Sequence, residues 1–278
     1  MWRFAPLLLL TGCGLASPRS GEVLSPGVAE AVFEHRGFGT DLLHTRIVFP
    51  ARDDGTPRTG PFPAVVFIQG GLVPESRYRW WAEALAREGY VVALPTHAFD
   101  LAIFTIDSGA EARKLLVAPP PSLLTGLVDP NRVAVGGHSL GGVVAAKLSL
   151  QGGFAALLFE ASLPDAADER GLSSLKVPSM SLAGSNDCSA ALADVTEGAK
   201  SFASPTALVV LEGVTHYQFT DSEKEDVARN CAAGVDLQTA HARIVAASKA
   251  FLDAAMSARP NVGADALSAV PGSTVTTR

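Results

Sequence analysis

A serine hydroxyl becomes a nucleophile at neutral pH only when a base takes its proton and an acid orients that base. The sequence holds one serine in the setting this chemistry needs. The run Arg132-Val-Ala-Val-Gly-Gly-His-Ser-Leu-Gly-Gly142 places Gly137-x-Ser139-x-Gly141 directly after an apolar run and before a stretch with helical spacing. A sharp strand-to-helix turn lifts the serine Oγ out of the chain. It needs glycine two residues to either side because larger side chains would collide with the neighbouring elements. The same turn aims the partial positive charge of a helix N-terminus at an oxyanion forming on the substrate. Gly136 is a departure, since a larger residue is commoner there, and it is expected to loosen the end of the strand.

Partners for Ser139 follow in chain order. The apolar run Ser179–Ala183 ends in Gly184-Ser-Asn-Asp187, and Ala207–Leu211 ends in Glu212-Gly-Val-Thr-His216. Each puts a functional side chain on a loop at the C-terminal end of a strand, where an open α/β sheet keeps its ligand crevice. Ser139, Asp187 and His216 are thus expected to converge as nucleophile, acid and base. Glu160, ending the run after the nucleophile helix, is the competing acid; Asp165, Asp194 and Asp221 read as solvated charges. His97 precedes the nucleophile, the wrong side for the base, and His241 falls in a helical pattern. An oxyanion hole needs two N–H donors: the amide of Leu140 is one, and Gln69-Gly70-Gly71-Leu72 supplies the other. Gly71 is chosen, with Gly70 and Leu72 left open because the register within the glycine pair is undetermined. Gln69, Leu72, His138 and Tyr217 are expected to line the substrate pocket, with Tyr78, Trp80, Trp81, Phe99 and Phe104 as further apolar candidates.

The elements that must position these groups are legible as a pattern. Apolar runs at 64–68, 90–94, 133–135, 154–159, 179–183 and 207–211 alternate with helical spacing at 79–88, 107–116, 140–150, 190–202 and 237–256. Continuous Val, Leu and Phe runs suit strands covered on both faces, so the fold class is α/β, doubly wound around a mostly parallel sheet. An antiparallel lead-in over 28–49 extends one edge, giving a single domain at 28–256 and a frayed tail at 257–278. Fewer than twenty residues separate Phe159 from Val177, too few for a helical lid of any size, so an open crevice is expected.

With 22 Lys and Arg against 28 Asp and Glu, no basic stripe for nucleic acid is available. The N-terminus carries different information. Arg3, the apolar run Phe4–Leu10 and Leu10-Thr-Gly-Cys13 form a charged, an apolar and a small-residue region in the order of an export signal. The last four residues resemble a bacterial lipobox, which implies a signal peptide at 1–12, lipidation of Cys13, and a Ser/Pro/Gly-rich tether at 13–27. Such a chain is exported and anchored to the cell envelope, with Gly14 favouring an outer membrane where one exists. No other stretch reaches the ~18 apolar residues of a membrane span. Removing Cys13 from the count leaves Cys188 and Cys231, which an oxidising compartment should pair. That bridge would tie the acid loop to the chain following the base.

From Ala64 to Met256 the chain resembles the α/β-hydrolase superfamily, and within it the chlorophyllase-like, dienelactone-hydrolase-like and cutinase-like polyester hydrolases. The resemblance is carried by Val65-Val-Phe-Ile-Gln-Gly-Gly71, Gly89-Tyr-Val-Val-Ala-Leu-Pro95, Asp129-Pro-Asn-Arg-Val-Ala-Val135, Gly137-His-Ser-Leu-Gly-Gly142, Gly184-Ser-Asn-Asp187 and Gly213-Val-Thr-His216. Gln69 stands where family members usually have histidine. The resemblance implies hydrolysis of a small or polymeric carboxylic ester through an acyl-enzyme, with no metal or cofactor. Thioester or peptide cleavage on the same fold, and a non-catalytic ligand-binding lipoprotein, are the alternatives.

Overall fold

A computed structural model describes residues 21–36, 42–104, 106–120, 122–164, 170–203 and 205–278. The expected signal peptide at 1–12, the expected lipidation site Cys13, most of the expected tether and Asp165 lie outside these residues.

Among the described residues ten strands form one sheet in the order β1-β2-β3-β5-β4-β6-β7-β8-β9-β10. They are β1 (Glu22–Ser25), β2 (Val28–Arg36), β3 (Leu42–Pro50), β4 (Phe62–Ile68), β5 (Val91–Pro95), β6 (Val128–His138), β7 (Leu157–Glu160), β8 (Ser179–Gly184), β9 (Thr206–Leu211) and β10 (Ser273–Thr277). The five pairings from β5 through β4, β6, β7 and β8 to β9 are parallel. The lead-in β1-β2-β3 joins β5 antiparallel, and β10 closes the other edge antiparallel to β9. The main helices are α1 (Arg79–Arg87), α2 (Asp107–Val117), α3 (Leu140–Gln151), α4 (Leu192–Gly198), α5 (Lys224–Ala228), α6 (Leu237–Ala255) and α7 (Ala264–Leu267).

The strand runs are apolar at every position because each face of the sheet has its own core. On β4, Val65 and Phe67 pack with Trp81, Leu85, Ile244 and Phe251 under α1 and α6. Ala64, Val66 and Ile68 pack with Ala112, Leu116, Val144 and Leu148 under α2 and α3. Alternation with a period of two is intact; both sets are simply buried. From β4 the chain turns first to β5 on one side and then crosses to β6 on the other. The strand order therefore switches at β4, and the loop after β4 opens on the crevice there.

Two boundaries differ from the sequence reading. Residues 22–25 of the tether region pair with β2, turning at Gly27 with φ 81°. The segment expected to fray after residue 256 instead buries Val262, Leu267 and Val270 and adds β10 to the sheet, with Arg278 N–H donating to the Thr206 carbonyl at 2.9 Å. Both are edge strands. Ser-Thr-Val-Thr-Thr and Glu-Val-Leu-Ser bury little, so they carry none of the apolar periodicity by which strands are recognised.

Cys188 and Cys231 are joined, with Cα atoms 6.0 Å apart and a sequence separation of 43. In the chain-entropy account a loop of that length stabilises by about 4 kcal/mol. Replacing both cysteines with serine is expected to lower Tm by about 10 °C. Thermal melts of the variant, and of the wild type with and without reductant, check it: a reductant-insensitive wild-type Tm would contradict the bridge's contribution.

Candidate active site

Ser139 caps α3 in the left-handed region, at φ 54° and ψ −124°. The glycines around it are required by contact. A Cβ on Gly137 would lie 2.3 Å from the Gly141 carbonyl oxygen, and one on Gly141 would lie 2.2 Å from that of Ile68. The backbone of the turn therefore presses against itself and against β4, which leaves the serine side chain as the outward feature. Gly136 does not loosen the strand as expected: a Cβ there would sit 3.1 Å from both Leu158 Cβ and the Leu158 carbonyl, so the space is already filled from β7.

The structure brings together the three side chains that the sequence spaced far apart. Ser139 Oγ lies 3.0 Å from His216 Nε2, and His216 Nδ1 lies 2.8 Å from Asp187 Oδ2. Oδ1 of Asp187 accepts two further bonds, from the N–H groups of Ser189 and Ala190, each at 2.7 Å. With three donors converging on it, the carboxylate has no freedom to rotate away from the imidazole. The Asp187 loop is in turn fastened to the His216 loop: Asn186 N–H donates to the Val214 carbonyl at 3.0 Å, and Gly213 N–H donates to Ser185 Oγ at 2.8 Å. The disulfide closes the same corner one residue beyond Asp187.

Glu160, the rival acid, is turned the other way. Its Oε1 lies 3.0 Å from Ser248 Oγ on α6, inside the core. Ser248 has one hydroxyl proton and lies 2.8 Å from the Ile244 carbonyl, which has none to give. The contact is thus completed when Glu160 supplies the proton. Burial pushes this carboxyl up to about 8, against a smaller opposing pull from the Ser248 hydroxyl. An unfolded glutamate loses its proton near 4.5, so the neutral form's contribution is full below that pH and is lost as pH rises through about 8. Glu160→Gln carries no charge to desolvate. It is expected to match the wild type near pH 5 and to exceed it by about 2 kcal/mol or more at pH 9, read from denaturation at both pH values. Parallel loss in both proteins would refute a neutral Glu160.

Around the loop after β4, two of three successive amides are engaged by the fold. Gly70 N–H donates to Tyr78 Oη at 2.9 Å and Leu72 N–H donates to the Asp100 carbonyl at 2.8 Å. The Gly70 carbonyl accepts from Val73 N–H at 3.2 Å. Because the peptide is planar and trans, this points the Gly71 N–H the opposite way. Gly71 also abuts the residue after Ser139, since a Cβ on it would meet Leu140 Cδ2 at 3.1 Å. The Leu140 amide belongs to the first turn of α3, whose N–H groups have no acceptor within the helix.

Two residues expected in the pocket are not there. Gln69 is buried, with Nε2 donating to Asp100 Oδ1 at 3.2 Å and Oε1 lying 3.4 Å from His97 Nδ1. His138 is fully buried among Tyr78, His216 and Phe219. Both support loops from behind. Leu72 is 73% exposed, and Tyr217 stands edge-on to the His216 ring at 5.3 Å with Arg229 over its face at 5.4 Å. Tyr78 and Trp81 are core residues, whereas Phe99 and Phe104 are 79% and 64% exposed.

Two supporting residues escaped the sequence reading. Asp226 on α5 is buried and accepts the Tyr217 N–H at 2.7 Å, which pins the peptide following His216; burial raises its carboxyl above the usual range. Arg77 donates to Asp221 at 2.8 Å, to Thr220 Oγ1 at 2.7 Å, to the Ser222 carbonyl at 2.6 Å and also to Glu225. It thereby joins the segment after the Gly70–Gly71 turn to the loop carrying His216. Neither has a local sequence signal, since the Arg77 partners lie more than 140 residues away.

The comparison with known families fits this architecture. A model of the alpha/beta hydrolase family matches residues 64–232, from β4 to the second cysteine of the bridge. The chain belongs to that family. The match covers the loops that carry Gly71, Ser139, Asp187 and His216 and makes the protein a hydrolase by family, on a mostly parallel sheet flanked by helices. None of the curated proteins compared with this hydrolase matches it.

Proposed function

We propose that this hydrolase is a serine carboxylic ester hydrolase working through an acyl-enzyme. The observation that carries the reading is the unbroken series from Ser139 Oγ through His216 to Asp187, at 3.0 and 2.8 Å, on the C-terminal ends of three sheet strands. His216 Nε2 takes the hydroxyl proton while Oγ bonds to the ester carbonyl carbon. The electron pair moves to the carbonyl oxygen, which the Leu140 and Gly71 amides receive. Collapse expels the alkoxide, protonated by His216, and leaves the acyl group on Ser139. Water then repeats the sequence: His216 takes its proton, the carboxylic acid departs and Ser139 recovers its own. Asp187 holds the imidazole in the tautomer with Nε2 bare and steadies the imidazolium between steps.

The rim favours an apolar ester. Leu72, Phe99, Ile103 and Phe104 are all exposed large apolar residues on two loops joined by the Leu72–Asp100 hydrogen bond, immediately beside Gly71. Leu72 and Phe99 hold positive φ, 61° and 57°, which keeps them outside the core. This supports the polyester-hydrolase-like branch that the motifs resemble. Export with lipidation of Cys13 would present such a rim to bulky material outside the cell, and a disulfide fits that compartment.

A fluorophosphonate should add one phosphonyl group to the mature protein, located at Ser139 by peptide mass spectrometry, and acyl esters graded in length should be cleaved. Absence of both labelling and turnover would overturn the reading and favour a ligand-binding role.

A further inference from the structure

Glycine's freedom makes the Gly70–Gly71 peptide easy to flip, and a flip would replace the Gly71 N–H with a carbonyl facing the substrate. Val73 N–H on the Gly70 carbonyl resists it directly, while the Asp100 carbonyl on Leu72 N–H and Tyr78 Oη on Gly70 N–H fix the peptides on either side, from which the Gly71 N–H is aimed. The Tyr78 bond is the one made by a side chain. A Cβ on Gly70 would sit 2.9 Å from His138 Nδ1 and 3.0 Å from Tyr78 Oη, so glycine is what admits both groups against this backbone.

The Tyr78 hydroxyl is buried and also lies 2.9 Å from His138 Nδ1. Burial raises the phenol and lowers the imidazole, whose proton the neighbouring His216 further disfavours, so both groups are neutral. A phenol has one proton. With the Gly70 N–H already directed at Oη, that proton has His138 Nδ1 as its acceptor, and the proton of His138 itself must sit on Nε2. The His138 ring is 4.6 Å from the His216 ring, centroid to centroid. Adjacent Arg77 fixes the segment that carries Tyr78 to the loop that carries His216.

We propose that Tyr78 is a positioning residue for the reaction: its hydroxyl anchors the Gln69–Gly70 peptide, and so the turn from which the Gly71 N–H is aimed at the oxyanion, and binds that turn through His138 to the nucleophile turn. This rests on the reading of Ser139 as nucleophile and Gly71 as donor. The tyrosine touches no reacting atom. It acts by keeping one amide aimed where negative charge develops, and misplacement of such a group by about 1 Å costs up to roughly 100-fold.

Tyr78→Phe keeps the ring in its packing against Phe67 and removes only the oxygen. In the folded variant kcat should fall roughly 10- to 100-fold with KM within about twofold. Affinity for an alkyl boronic acid, which becomes tetrahedral on the serine, should fall by the same factor, while affinity for the carboxylic acid product stays unchanged. A merely structural role would not move the boronate and the product apart. Retention of both kcat and boronate affinity within about twofold would overturn the proposal. A second measurement uses the wild type alone: 15N spectra of the histidine side chains should show His138 protonated at Nε2 and bare at Nδ1. The opposite tautomer overturns the relay. That result is independent of turnover, so failure of the relay is read separately from failure of the functional reading, which shows instead as absence of ester cleavage by the wild type.

Discussion

Ser139→Ala is expected to lower kcat on p-nitrophenyl acyl esters by roughly a million-fold and to abolish phosphonylation, while KM and Tm barely change. The size follows from the way the series works as a unit: without Oγ, the imidazole at 3.0 Å has no proton to accept, and Asp187 orients a base with nothing to activate. What remains is attack by water within the site, aided by the Leu140 and Gly71 amides, and worth about a thousand-fold over free solution. The fold should tolerate the change. Alanine keeps the Cβ that already occupies φ 54°, and the hydroxyl's loss leaves no donor in the core unpaired, because the residue is only half-buried. Steady-state kinetics with circular dichroism of the same preparation check it. Turnover within tenfold of wild type would mean that some other group attacks the ester.

The parts of this site that could be read from sequence share one property: their meaning is local. The turn at Ser139 is specified by glycines that cannot be anything larger, and Asp187 and His216 each follow a short, largely apolar run of strand length. Strand ends on one side of a parallel sheet then converge by topology, without any knowledge of distance. The pairing of Cys188 with Cys231 follows from counting once Cys13 is read as the lipidation site of an exported chain.

Direction was harder than position. His138 and Gln69 neighbour functional residues in the chain, yet both are buried behind the loops they support. For His138 the reason is the pleat: on β6, Ala134 faces the core under α1 and α6, and His138, four residues on, faces the same way. Ser139 escapes this alternation only because the turn begins at it. Asp226, Arg77 and Tyr78 were illegible for another reason, since each acts through a partner brought near by the whole fold. The edge strands at either end were missed because exposure removes the apolar signal that defines a strand.

Between the two candidate acids, a pair of isosteric amides decides. Asp187→Asn should cut kcat about ten-thousand-fold with little change in KM. Oδ1 of this side chain accepts from two backbone N–H groups, so the new amide places its carbonyl there and its NH2 toward His216. An NH2 facing Nδ1 requires that nitrogen to be bare, which moves the imidazole proton to Nε2. The base then points a donor at Ser139 and cannot take its proton. At Glu160 the same substitution touches nothing in this path. Glutamine's NH2 can donate to Ser248 Oγ as the protonated carboxyl does, and kcat at neutral pH should stay within about twofold. Glu160→Gln losing activity as severely as Asp187→Asn would return the acid to β7. The reverse order fixes it on the loop after β8, where the disulfide and the Ser185–Gly213 bond hold it against the base.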